Sequence, residues 1–374
     1  MDLKLTDEEK LIGDTAARFV HRELLSRERD YLRQEELFLP PGAPAMRRLA
    51  PEVAADLAKL ARRFGLWALE LPPAADAAPL SAVARVLVQR EFGRTVLPFA
   101  PAIIPGALQA SKYAYSLEQG ELSLALAFDQ IHSTGNLDGL TTRYREITDG
   151  YALSHTVIDV IEPEAELFLF PAREEGSSRA GLFLLERNTP GLTIEAVTEL
   201  NADVTVGRLT LQECKLQPDQ LLGYEYQIQE IIAGEQLRIA ARSLGIAMRC
   251  LADSIEYARN RVTFGRRLAE RQAIQWMLAD LSVEVRGCTW IALEAAWRAD
   301  QGEPYFEKAA LAKKRAAKTA FDAADSAIQI HGGYGVCKEF PFEGFYREAR
   351  LLRLLYGREG ELDRAAGSKF MSTE

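Results

Sequence analysis

Cysteine and histidine are scarce in this 374-residue chain, with four of each, and neither type clusters. Cys214, Cys250, Cys288 and Cys337 stand at least 36 residues apart, in no metal-ligand or redox spacing. His21, His132, His155 and His331 are equally dispersed, so a structural or catalytic zinc is not expected. Long apolar runs are also missing. No stretch reaches the 18 to 20 residues of a membrane span, and the acid-rich start at Asp2, Asp7, Glu8 and Glu9 does not read as a signal peptide. A cytosolic protein with reduced thiols is the expectation. Basic charge is in deficit too: 45 Lys and Arg against 54 Asp and Glu leave a net charge of −9. Nothing in that balance favours nucleic acid or an anionic membrane as a partner. Finally, no Gly-rich phosphate loop follows any candidate strand, which argues against a nicotinamide-binding domain of the usual type.

What is present divides into three segments. Residues 1–121 read as helical: Thr6 and Glu9 make a capping-box signature, followed by Leu11, Ile12, Ala16, Phe19 and Val20 at helical spacing. Further helices are expected over 46–64, 80–92 and 102–115, and the charge-dense stretch 21–36 reads as a solvated helix face or connector. Over 122–222 the pattern changes to short apolar runs separated by Asn-Leu-Asp-Gly, Thr-Asp-Gly and Thr-Pro-Gly, the grammar of a compact β domain without βαβ crossovers. Over 223–374 long helical periods return, at about 226–255, 269–300, 304–331 and 342–356. Their Ala-rich contact positions suit an antiparallel four-helix bundle.

Four phrases in the last segment carry a resemblance: Tyr257-Ala-Arg-Asn-Arg-Val-Thr-Phe-Gly265, Gln272-Ala-Ile-Gln275 with Leu278-Ala-Asp280, Gln329-Ile-His-Gly-Gly-Tyr-Gly335, and Pro341-Phe-Glu-Gly-Phe-Tyr-Arg-Glu-Ala-Arg350. With the helical, β, helical order of segments, the chain resembles the acyl-CoA dehydrogenase family of flavoproteins. The resemblance implies that family's fold: an N-terminal all-α domain, a middle β-barrel-like domain and a C-terminal four-helix bundle. It implies FAD as cofactor, an acyl-CoA substrate, an electron-transfer acceptor protein, and formation of a 2,3-enoyl-CoA by α-proton abstraction and β-hydride transfer. In the family each flavin lies between two subunits. Carried over, Arg261 pairs with the pyrophosphate, Phe264 packs near the adenosine portion, Gln272 hydrogen-bonds it, and Gln329, Gly332 and Gly333 let backbone approach the dinucleotide. The chemistry is sound in itself, since a pyrophosphate suits a guanidinium fork and paired glycines remove blocking Cβ atoms. The alternative is that Arg261 is a surface base and the glycines only end a helix.

Departures from the family pattern fall elsewhere. The family's Thr-Glu-Pro and Gly-Ser-Asp phrases are unmatched in residues 128–138, and its Trp-containing flavin strand resembles only Ser154-His-Thr-Val-Ile-Asp159, without the Trp. At the commonest position of the catalytic carboxylate stands Tyr356, a poor base at neutral pH. A subset of the family carries its glutamate on the first bundle helix, where Glu235 falls; a structural ion pair with Arg238 or Arg242 is the competing reading. Neighbour-facing motifs kept beside degraded own-subunit motifs resemble the subunits of heteromeric α2β2 dehydrogenases, notably of steroid side-chain degradation. A self-sufficient homotetramer using Glu235, or a scaffold paralogue without catalysis, remain the alternatives.

Overall fold

The computed structural model describes residues 4–34, 49–71, 79–128, 137, 139–201 and 204–364. Cα packing groups the chain into two compact units. One draws on Met1–Leu66, Ser81–Ala100 and Gln236–Arg353; the other on Trp67–Leu80, Pro101–Glu235 and Leu354–Glu374.

The first unit is helical. Helix α1 (Asp7–Phe19) begins with the expected capping box: the Glu9 amide donates to Thr6 Oγ1 at 3.1 Å, and the Thr6 amide donates to Glu9 Oε2 at 2.8 Å. A π-helical turn at Val20–Leu24 leads into α2 (Leu25–Gln34). The charge-dense stretch is not merely solvated. Glu28 is buried, accepts from Thr95 Oγ1 and the Val96 amide, and pairs with Arg249 at 3.0 Å. Helices α3 (Pro51–Arg63) and α4 (Ala82–Phe92) complete the N-terminal contribution. The start of α4 is closed by Ser81, which accepts from the Ala84 amide, and by Asp300, whose carboxylate accepts from the Ala82 and Val83 amides at 2.5 and 3.1 Å.

Four long helices follow: α6 (Glu225–Asn260), whose portion from Gln236 belongs here, α7 (Gln272–Asp300), α8 (Phe306–His331) and α9 (Phe342–Leu352). Helix α8 turns a small-residue face inward, with Ala309, Ala312, Ala316, Ala320, Ala323 and Ala327 buried, and so allows close packing on α7 and α9. Helices α4 and α6 approach at Gly93 and Gly245. A Cβ on Gly245 would lie 2.1 Å from the Arg90 carbonyl oxygen, and one on Gly93 2.3 Å from that of Arg242. Arg242 and Arg249 then donate to the carbonyls of Phe92, Thr95 and Arg94, pinning the chain after α4 to α6.

The second unit contains α5 (Ala114–Gln119) and a mixed sheet. Its strands are β1 (Leu124–Leu126), β2 (Arg143–Ile147), β3 (Gly150–Ile161), β4 (Leu167–Glu174), β5 (Ala180–Glu186), β6 (Leu192–Asn201), β7 (Val204–Leu216) and β8 (Leu221–Tyr224). The order is β6-β7-β3-β2-β4-β5-β8, with β1 beside β4; β1 and β2 run parallel to β4 and the other pairings are antiparallel. This corrects the barrel-like expectation. The end strands β6 and β8 do not pair among the described residues, so the sheet is open and not closed on itself. Local strand-and-turn alternation fixes hairpins, whereas closure depends on one non-local pairing that no local pattern encodes. Phe168, Phe170, Phe183, Tyr144, Leu153, Leu209 and Leu211 belong to one buried cluster on this sheet. Burial there pushes the Tyr144 phenol up to about 12. No described helix is long and apolar enough to cross a membrane, and no group of metal-ligating side chains occurs among the described residues.

Candidate functional site

The end of α6, the hairpin that follows it and the end of α8 build one concavity in the helical unit. Helix α6 ends at Asn260 and the chain folds into a hairpin of β9 (Val262–Thr263) and β10 (Arg266–Arg267). Its two-residue turn is Phe264 and Gly265, at φ +49° and +74°. Positive φ at both central residues is what a type I′ turn requires, and it matches the twist of the strands. Glycine meets that demand without strain; phenylalanine does not, by roughly 1–2 kcal/mol. Yet the Phe264 side chain is 96% exposed, so burial within the chain does not offset the strain. Strain of this kind, held on a rigid support, is typical of a ligand or partner clamp. The support is present: Arg271 donates to the Thr263 carbonyl at 2.6 Å, and the Leu268 amide donates to the Arg261 carbonyl at 2.9 Å.

The facing piece is the end of α8. Gly332 caps it at φ +61°, ψ −133°, a region open to glycine and costly for other residues. Cβ atoms built on Gly332 and Gly333 would meet nothing within 4 Å, whereas one on Gly335 would strike the Ile328 carbonyl at 2.5 Å. The turn is therefore packed on one side and open at the two preceding glycines. Tyr257, Arg261, Thr263, Leu268, Ile330, His331, Gly332, Gly333, Tyr334 and Cys337 line a concavity of about 420 Å³. The Arg261 guanidinium lies 6.0 Å from the centre of the Tyr334 ring.

Of the residues singled out from sequence, the structure brings Arg261, Gly332 and Gly333 together on this concavity. Phe264 stands at the tip of the adjoining hairpin, Gln272 is exposed at the first turn of α7, and Gln329 is exposed in the last turn of α8. Glu235 belongs to the other compact unit, on the portion of α6 that precedes Gln236. It is 4% exposed, with Ile231, Ile232 and Ile239 buried around it in sequence. Arg242 is committed elsewhere, to Glu348 at 2.6 Å and to the Phe92 and Thr95 carbonyls. Tyr356 is buried at φ +51° with its ring 6.5 Å from that of Phe128. Residues 129–136 and 138 lie outside the described residues, as do the side chains of Thr156 and Val157. Sequence reasoning missed Tyr257, His331, Tyr334 and Cys337 as lining groups. All but Cys337 stand inside the quoted phrases, and their aromatic or polar character beside two glycines was the available signal.

The family profile "Acyl-CoA dehydrogenase, C-terminal domain" matches residues 223–364. Along nearly the whole chain, an acyl-CoA dehydrogenase of Bacillus subtilis is 28% identical, covering 92% of this chain and 95% of that protein. Residues 223–364 carry the acyl-CoA dehydrogenase C-terminal domain, and along nearly its whole length the chain is similar to acyl-CoA dehydrogenases. That similarity makes it an oxidoreductase with FAD as cofactor. Among solved structures, the butyryl-CoA dehydrogenase of Megasphaera elsdenii superposes with a TM-score of 0.81 at 21% identity, covering 99% of this chain and 100% of that one. The ChsE4–ChsE5 complex of Mycobacterium tuberculosis gives 0.81 at 22% identity, with full coverage of both chains. At these identities the two structures speak for the fold alone.

Proposed function

We propose that this chain is one subunit of an FAD-dependent acyl-CoA dehydrogenase that forms a 2,3-enoyl-CoA, with a paralogous subunit supplying part of each site. The observation that carries the reading is the outward display of the cradle: strained Phe264 at 96% exposure beside Arg261 and the open glycines. These residues fit the adenosine diphosphate half of FAD. Arg261 offers a guanidinium to the pyrophosphate, the two glycines let backbone amides approach it, and Phe264, Gln272 and Gln329 border the dinucleotide. FAD supplies the hydride acceptor of the reaction. A subunit role is further supported by α7, which exposes Trp276, Val283 and Trp290, seven residues apart and therefore on one face. The ChsE4–ChsE5 complex, which joins two differently named chains, is in keeping with a mixed assembly.

The direct test of the cradle is FAD retention. Arg261→Ala is expected to reduce flavin occupancy of the purified protein, whereas Glu256→Ala, a change at an exposed acidic residue near the end of α6, is expected to leave it near the parental level. Equal occupancy in the two variants would remove Arg261 from the pyrophosphate contact.

A second reading, a self-sufficient enzyme, rests on Glu235. Glu235 is buried, and the engagement of Arg242 with Glu348 removes one of the two arginines offered for a structural pair. The α-proton beside a thioester needs a carboxylate held close to that carbon. Glu235→Gln, which keeps the shape and cannot accept the proton, is then expected to retain fold and FAD and to slow flavin reduction by acyl-CoA about a hundredfold or more. Stopped-flow reduction at the parental rate would exclude Glu235 as the base, and loss of the fold would assign it to structure.

A further inference from the structure

His331 has no role in the reading above, although it is the last residue of α8 and is followed directly by the open glycines. Its side chain is 4% exposed. The imidazole stacks on the Tyr257 ring at 4.2 Å and 30°, and the Phe342 and Phe340 rings stand 4.4 and 5.6 Å from it. Nδ1 lies 2.8 Å from the Ala327 carbonyl oxygen. A carbonyl only accepts, so Nδ1 carries the proton, and the neutral ring leaves Nε2 bare. The backbone carbonyl of the same residue is 3.5 Å from the Tyr257 hydroxyl, which donates to it. Ring and carbonyl are thus both held by α6, at the residue from which the Gly332 and Gly333 turn departs.

Charged and titratable neighbours are few. Tyr257 comes from α6, as does Asp253, whose carboxylate is taken by Arg249 at 2.7 Å; Arg261, Tyr334 and Cys337 share the cavity wall. Burial pulls the His331 imidazole below its ordinary value, against the opposing pull of the Ala327 carbonyl and Asp253. The packing thus favours the neutral ring at pH 7.

We propose that His331 is a positioning residue for the dinucleotide cradle: its neutral imidazole, flanked by Tyr257 and Phe342, sets the Gly332 and Gly333 turn in its open conformation, and protonation releases the turn. This rests on the assignment of the cradle to FAD. Because the folded-state value is depressed, the contribution is fully present above the ordinary histidine value of about 6.5 and is lost as pH falls through the depressed value. For one linked proton, FAD affinity declines by up to about tenfold per pH unit below that midpoint.

The test measures FAD dissociation constants by flavin fluorescence on the loaded protein, with its partner subunit where one is required, from about pH 8 to about pH 5.5. His331→Phe keeps a stacked ring that cannot take a proton. It is expected to lose the acid-dependent weakening of FAD binding, whatever its affinity at the upper pH, while Tyr257→Leu weakens binding at every pH and keeps the acid dependence. Helical circular dichroism at the upper pH checks the fold; if His331→Phe fails it, His331→Asn, which keeps a donor for the Ala327 carbonyl, carries the same expectation. A non-titrating variant that weakens with acid just as the parent does would overturn the inference. Arg261→Ala separates the two levels. Undiminished affinity in Arg261→Ala sinks the cradle assignment itself, whereas loss of FAD there beside an unchanged acid profile in His331→Phe sinks only the role of His331.

Discussion

Gly245→Ala is expected to destabilise the helical unit by about 3 kcal/mol, although the same change at an open position in a helix stabilises by up to about 1 kcal/mol. The reason is the closeness of two backbones. The new methyl would sit 2.1 Å from the Arg90 carbonyl oxygen and 2.6 Å from the Gly93 Cα, and neither atom can swing aside as a side chain would. Helices α4 and α6 would have to part. Parting them strains the donor bonds from Arg242 and Arg249 to the carbonyls of Phe92, Thr95 and Arg94, and with them the contact of Arg249 with buried Glu28. Breaking one side of a buried ion pair leaves a charge without its counter-charge, so the costs compound. Gly234→Ala is the control on the same helix, where a Cβ meets nothing within 4 Å, and it is expected to be neutral or stabilising. Urea unfolding followed by helical circular dichroism compares them. A Gly245→Ala protein as stable as the Gly234→Ala protein would show that the helix crossing relaxes at no cost.

Much of this architecture is legible where local chemistry decides it. The Thr6 and Glu9 capping box starts α1 as the spacing predicts, and the long apolar periods of the last segment correspond to α6, α7 and α8. Legibility fails where distant residues decide. The helix expected over 102–115 is replaced by a 3-10 turn at Gly106–Leu108 and a short helix beginning at Ala114; Pro105 and Gly106 are the local warning. Helix α9 stops at Leu352, and Tyr356 adopts a positive φ instead of continuing the period. The sheet's order and openness depend on which strands meet across 30 or more residues, as β3 meets β7. At the site, the residues of Arg-Val-Thr-Phe-Gly and His-Gly-Gly-Tyr are visible as phrases. That they face each other across one concavity follows from the antiparallel return of α8, which no phrase contains. In the sequence His331 invites only the question of a metal ligand, and its actual surroundings are aromatic rings.

Expressed alone, this chain is expected to hold little FAD, and co-expressed with a paralogue that retains the Thr-Glu-Pro and Trp-containing phrases it is expected to form a complex with about two FAD per four chains. The reason is an asymmetry within one polypeptide. Arg261, the Gly332 and Gly333 turn and the Phe264 hairpin form a built, solvent-exposed surface, which under the proposed function serves a flavin held chiefly by another subunit. By contrast, the stretch expected to serve this chain's own flavin lacks the family phrases. In β3, the strand that would carry the Trp, register shifts interrupt the pairing with β7 between Leu153 and Ile158. A mixed tetramer in which each such chain completes its partner's site, but not its own, then has half the flavin of a homotetramer. The exposed Trp276, Val283 and Trp290 face of α7 gives a further reason for instability in isolation, because an uncovered aromatic stripe favours non-specific association. Native mass measurement with flavin quantification decides the matter. A stable homotetramer with four FAD, reducing its flavin with acyl-CoA and no second polypeptide, would reject the mixed assembly and make Glu235 the leading candidate for the base.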